Sequence, residues 1–108
     1  MVKILMADAR IDPSDLDNRA IIFASMSGHT EIVKILSADA RIDPSDQRNY
    51  AIRGASKNGH TEVVKMLLED NRVDPSDENN EALQMASENR HIEIIILLLS
   101  DARVLGHT

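Results

Sequence analysis

The sequence predicts an all-α solenoid of stacked helix-turn-helix repeats joined by short turns, and three observations predict it. Asp12-Pro13-Ser14-Asp15 recurs 31 residues on as Asp43-Pro44-Ser45-Asp46, and after another 31 as Asp74-Pro75-Ser76-Asp77. Gly28-His29-Thr30-Glu31 returns in the same register as Gly59-His60-Thr61-Glu62, and in degenerate form as Arg90-His91-Ile92-Glu93. Ala24-Ser25, Ala55-Ser56 and Ala86-Ser87 keep step, as do Arg10, Arg41, Arg72 and Arg103. Several independent motifs in one register are not chance, and a fixed period of this length marks a repeat array.

The unit 42–72 shows how each repeat is built. Asp43-Pro44-Ser45-Asp46 is a turn, because Pro fixes φ and the Asp and Ser side chains bond nearby backbone. Asn49 is expected to cap a short helix running to about Asn58, with Ile52 and Ala55 facing inward at helical spacing. Gly59 supplies the left-handed residue that ends that helix. Thr61 is expected to cap a second helix, with Glu62 placed against its positive end. Val63, Val64, Met66, Leu67 and Leu68 form the apolar stripe, and Lys65 points outward. Neither helix is long enough to hold alone. Stacked on their neighbours, the units share one continuous core.

These residues carry a family resemblance. Ala55-Ser56-Lys57-Asn58-Gly59-His60-Thr61-Glu62-Val63-Val64-Lys65-Met66-Leu67-Leu68 resembles the ankyrin pattern A-A-x-x-G-H-x-E-V-V-K-L-L-L. The likeness covers residues 1 to 104, nearly the whole chain. Two departures stand out. The family's T-P-L-H motif is replaced by Tyr50-Ala51-Ile52-Arg53, and the period is 31 rather than the usual ~33. Such D-P-S-D variants resemble ankyrin arrays of protists and giant viruses.

The register divides a single domain, 1–108, into a half repeat at 1–10, full repeats at 11–41, 42–72 and 73–103, and a tail at 104–108. Met1-Val2-Lys3-Ile4-Leu5-Met6 aligns with the second helix of a unit, and Leu105-Gly106-His107-Thr108 abandons the D-P-S-D turn. Terminal repeats normally carry a polar outer face. Here Thr30 and Thr61 are answered by Ile92, and Lys34 and Lys65 by Ile96. Loss of the Thr cap is expected to cost about 1 kcal/mol. Arg90 in the glycine slot is expected to cost roughly another 1–2 kcal/mol if it stays left-handed. Two compatible readings follow: a truncated or engineered array, and a self-association surface at Ile92 and Ile96.

Composition narrows the function classes. The chain has 108 residues, 43% of them hydrophobic and only 2% aromatic, so aliphatic side chains fill the core of a folded domain. Its formal net charge of −6 argues against a grip on nucleic acid, which needs clustered Lys and Arg. There is no cysteine for a disulfide framework or thiolate site. The longest apolar run, Ile94 to Leu99, is too short to span a bilayer. The N-terminus lacks the features of a signal peptide, which leaves an intracellular protein as the default.

The three copies agree at turn and core positions and differ at a periodic set on the finger tips and first helices. Resemblance to ankyrin arrays implies that these regions line the concave face that binds a protein partner. The candidate binding residues are Arg19, Ile22, Phe23 and Met26 in the first unit, Arg48, Tyr50, Arg53 and Lys57 in the second, and Glu78, Glu81, Gln84 and Glu88 in the third. The differing positions also take in Leu16, Asp17, Gln47, Gly54 and Met85. Units 11–41, 42–72 and 73–103 carry net charges of −2, 0 and −5, so the face grades from apolar to acidic. An apolar anchor beside a charged rim is what a protein interface needs. Against this stands the simpler reading that surface positions vary because nothing constrains them. Ile22 and Phe23 also sit where a preceding first helix would pack.

No cofactor, metal or catalytic constellation is expected. His29, His60 and His91 recur once per unit, about a helix-packing distance of ~10 Å apart, whereas zinc needs converging ligands. Each is expected to bond the neighbouring turn. The aspartates of the D-P-S-D turns suit turn bonding better than calcium. Ser14, Ser45 and Ser76 occur in every copy and so mark scaffold, since catalysis needs one asymmetric site.

Overall fold

The computed structural model describes residues 13–105, with side chains from residue 18 onward except those of residues 102 and 105. The half repeat expected at 1–10, Asp12, the tail beyond 105 and the side chains of Leu16 and Asp17 lie outside the described residues. In chain order the helices are α1 (Pro13–Ser27), α2 (Thr30–Ser37), α3 (Asp46–Asn58), α4 (Thr61–Leu68), α5 (Asp77–Glu88), α6 (Ile92–Leu99) and the short α7 (Ala102–Leu105). No strand occurs among the described residues. First helices α1, α3 and α5 stack on one another, second helices α2, α4 and α6 form a parallel row behind them, and each pair is an antiparallel hairpin.

The core runs along the seam between the two rows. Ile21, Ala24 and Val33 begin it, Ile52, Ala55, Val63, Val64 and Leu67 continue it, and Ala86, Ile94 and Leu98 end it. The alanines at the same point of each first helix keep the stacked rods close. The hairpin turn is set by glycine. Gly28 and Gly59 adopt φ of 79° and 81°, where an L side chain is strained. The space is also taken: a Cβ on Gly28 would lie 2.6 Å from the His60 ring, and one on Gly59 2.7 Å from the His91 ring. The recurring histidines therefore cover the preceding hairpin turn, and His91 Nε2 bonds the Lys57 carbonyl at 2.9 Å. Arg90 keeps the left-handed conformation at φ 60° without glycine's freedom.

Two expected caps do not form. The second helices begin after His29, His60 and His91, and none of these ends carries a side-chain cap bond. Thr61 already lies inside the helix, so Ile92 in its place forfeits no cap. Asn49 does not cap α3 either; its side chain reaches into the next repeat.

That reach is the main link between repeats. Asn49 Oδ1 accepts the Asp74 N–H at 2.8 Å, and its Nδ2 donates to Asp77 Oδ2 at 2.8 Å. Asn18 does the same one repeat earlier, to the Asp43 N–H at 2.7 Å and Asp46 Oδ2 at 3.1 Å. The turn it holds is self-braced, because Asp43 Oδ1 accepts both the N–H (2.9 Å) and the hydroxyl (2.5 Å) of Ser45. Asp74 and Ser76 repeat the pair at 3.0 and 2.7 Å. One repeat further on, Asn80 Oδ1 is buried without a hydrogen-bond partner among the described residues.

A second link comes from the arginines. Arg103 forks onto Asp101 (2.7 Å) and spans back to the carbonyls of Val73 (2.5 Å) and Leu68 (2.7 Å). Arg72 forks onto Asp70 at 2.8 Å and reaches the Ile42 carbonyl at 2.6 Å. The hydrogen bond from Arg103 holds the Asp101 carboxyl below its ordinary range, and Arg72 does so for Asp70.

Asn49→Ala and Asn80→Ala place an alanine at the same left-handed φ, 62° in each case. The strain is shared, so the difference between them reports the latch. Urea unfolding should show Asn49→Ala less stable than Asn80→Ala by about 2 kcal/mol, the cost of orphaning one backbone N–H and losing a charged bond. The lowered carboxyls give an acid response. A group whose folded pKa is depressed contributes stability above the unfolded carboxylate value of ~3.9 and loses it as pH falls through the folded value. Denaturant midpoints should therefore fall below about pH 4, and Asp70→Asn with Asp101→Asn should flatten that fall.

Candidate functional site

The exposed face of the first helices rests on a left-handed turn at the start of α3 and of α5. Gln47, Arg48 and Asn49 have φ of 58°, 56° and 62°, and Glu78, Asn79 and Asn80 repeat the run at 57°, 58° and 62°. Each such residue is strained by roughly 1–2 kcal/mol, so the surroundings must hold it. Asp46 Oδ1 accepts the Gln47 N–H at 2.8 Å. Arg53 grips the far side, donating to the carbonyls of Gln47 and Arg48 at 3.0 Å each. One repeat on, Gln84 Nε2 donates to the Asn79 carbonyl at 2.7 Å. Ile22 occupies the matching position in the first repeat and carries no donor.

This sorts the candidate residues. Arg19, Ile22, Phe23, Met26 and Tyr50 come together, with Gln47, around a shallow recess of about 370 Å³. Phe23 is 69% exposed, a large apolar side chain left in water. Gly54 makes the packing fit, since a Cβ there would run into Met26 Cγ. Tyr50, Arg53, Lys57 and Glu81 line a second recess of about 160 Å³ with Gly54 and Met85. Gln84 and Glu88 line neither recess, and Gln84 is committed to the turn behind it.

The arginines of the second unit are already paired. Arg53 meets Glu81 Oε1 at 2.7 Å and lies 5.0 Å from the centre of the Tyr50 ring. Arg48 meets Glu78 Oε2 at 2.9 Å, a bond that raises the guanidinium pKa further above its usual value. The expected gradient is thus partly cancelled within the face, positive to negative across neighbouring repeats. Arg19 and Lys57 make no ion pair among the described residues and remain the open cations of the face. Sequence reasoning missed the asparagine latch, although Asn18, Asn49 and Asn80 recur at the 31-residue period. That recurrence was the signal.

An array of stacked helical hairpins with a buried seam and glycine turns is a helical-repeat protein. The family is settled by comparison: the family model for ankyrin repeats (3 copies) matches residues 39–106. The chain belongs to the ankyrin-repeat family, whose members are generally protein–protein interaction modules and typically non-catalytic. No curated protein and no solved structure matches the chain.

The pairing of Arg53 with Glu81 can be measured. A double-mutant cycle on Arg53→Ala and Glu81→Ala should give a coupling energy of about 0.5–1 kcal/mol, since the arginine is mostly buried and the glutamate is not. Arg53→Ala alone should cost more than Glu81→Ala, because it also frees the carbonyls of the left-handed turn.

Proposed function

We propose that this chain is a non-catalytic binding module that holds a protein partner on the concave edge of its first two repeats. The observation that carries the reading is the exposed Phe23 above Ile22, Met26 and Tyr50, with Arg19 at the rim. An aromatic anchor beside an open cation is the composition of an interface hot spot. The partner that fits presents an apolar side chain flanked by a carboxylate. Phe23 supplies the contact area, Arg19 and Lys57 the opposite charge, and the ion-paired second unit a rigid wall. Glu78 and Glu81 are taken up by Arg48 and Arg53, which leaves Glu88 as the acidic group that turns away acidic surfaces at the far end.

A second reading concerns the array itself: a structural repeat scaffold that associates with its own kind through exposed apolar side chains of α6. Ile92 and Ile96 favour it, at 61% and 59% exposed.

Affinity capture tests the first reading. Phe23→Ala with Arg19→Ala should weaken capture of a partner by about 2 kcal/mol or more, roughly thirtyfold, with an unchanged melting midpoint. Capture that survives the double substitution overturns the assignment of this edge.

A further inference from the structure

The repeats act as their own control along the row of second helices. Where α2 meets α4, Glu31 and Lys34 stand beside Glu62 and Lys65, two carboxylates to two ammonium groups. Where α4 meets α6, Glu62 and Lys65 stand beside Glu93 and Ile96, because isoleucine takes the lysine's place. All of these side chains are exposed. The later junction is therefore one cation short and one aliphatic side chain richer. A single exposed isoleucine is ordinary on a protein surface. This one coincides with a lost countercharge and with a groove.

The groove holds about 340 Å³, with Thr61, Glu62 and Lys65 on the α4 wall and Glu93, Ile96 and Leu97 on the α6 wall. Its two ends differ in chemistry. Glu62 and Glu93 lie in the first turns of their helices, and Lys65, Ile96 and Leu97 follow about one turn later. Neither glutamate, nor Lys65, makes an ion pair or a side-chain hydrogen bond among the described residues. Packed helices stand roughly 8–10 Å apart axis to axis, so one cation placed between the two carboxylates reaches both.

We propose that the groove between α4 and α6 is a docking site for a segment of a partner protein that presents an arginine next to an aliphatic side chain. The site lies on the second helices, apart from the first-helix recess, and goes beyond the function proposed above. A guanidinium carries its N–H donors in a flat fork, so it bonds Glu62 on one side and Glu93 on the other. The aliphatic neighbour covers Ile96 and Leu97 at the same time. Lys65 repels a second cation at that end, which fixes the direction in which the segment lies. A lysine at position 96 would supply the missing cation from within and remove the apolar contact. The isoleucine thus takes away a charge and opens a surface in one step.

Fluorescence anisotropy with short labelled peptides tests the proposal on the full chain. A peptide of alternating arginine and leucine should bind. A glutamate–leucine peptide should not, and an arginine–serine peptide should bind about tenfold more weakly. Ile96→Lys restores the residue of the other repeats, so circular dichroism should show helicity unchanged while arginine–leucine binding falls about tenfold. Glu62→Gln with Glu93→Gln should weaken it about tenfold or more. Glu69→Gln changes the net charge by the same amount as Ile96→Lys, at an exposed residue outside the groove. It should leave binding within about twofold, because salt screens a distant charge. Equal losses with Glu69→Gln and Ile96→Lys overturn the proposal, since net charge alone would then hold the peptide. Binding lost with Phe23→Ala but kept with Ile96→Lys overturns it too, and places the peptide on the first helices. An arginine–leucine peptide that does not bind also overturns it, and if the chain then sediments as a dimer the groove belongs to a second copy.

Discussion

The asparagine amide that α1 and α3 each extend to the next repeat is the contact on which the rest of the stack depends. Its oxygen takes the N–H that opens the next D-P-S-D turn, and its nitrogen takes the carboxylate that closes that turn. An amide has one accepting and one donating end, and the turn offers one donor and one acceptor at matching separation. Position and orientation of the next repeat are fixed together. No β-pairing exists among the described residues to do that work between turns. The apolar seam supplies adhesion, which is non-directional. The latch supplies register.

That contact sets conditions on the chain before it. The side chain reaches the next turn from Asn49 at φ 62°, preceded by two further left-handed residues. Such a run survives only where its polar groups are held, and Asp46 and Arg53 hold it from either side. Arg53 is thereby fixed in place and neutralised by Glu81. Gln84 does the bracing one repeat later with no charge at all. The first repeat has Ile22 there, free to help form the apolar recess with Phe23. The change in chemistry along the first helices thus follows from which residue braces the turn.

Much of this fold was legible in the sequence because a repeat supplies its own internal control. Proline, glycine and the aliphatic stripe each have one dominant structural meaning, so turns, hairpin ends and core positions followed directly. Asn49 was misread because an asparagine before a helix has two competing uses, as a local cap and as a long-range amide. Local spacing favours the first, and only the packed neighbour decides for the second. Thr61 failed for a related reason: the helix starts one residue earlier than its cap-like sequence suggests, with His60 in the cap position over Gly28. Arg48 and Arg53 were legible as surface charges, but not as paired ones. Their partners lie 30 and 28 residues away, across a junction that only stacking creates.

The exposed first-helix side chains and the junctions between repeats lie on different surfaces of the same helices, which separates their chemistry. At the exposed positions the repeats differ in residue type, while the asparagine bonds that set the register recur. The junctions run across the seam, where each position is set by what the neighbouring repeat presents. A solenoid's stability is a sum of such nearest-neighbour contacts, so a substitution at a junction is felt by two repeats and one on the exposed first-helix side chains by a single repeat.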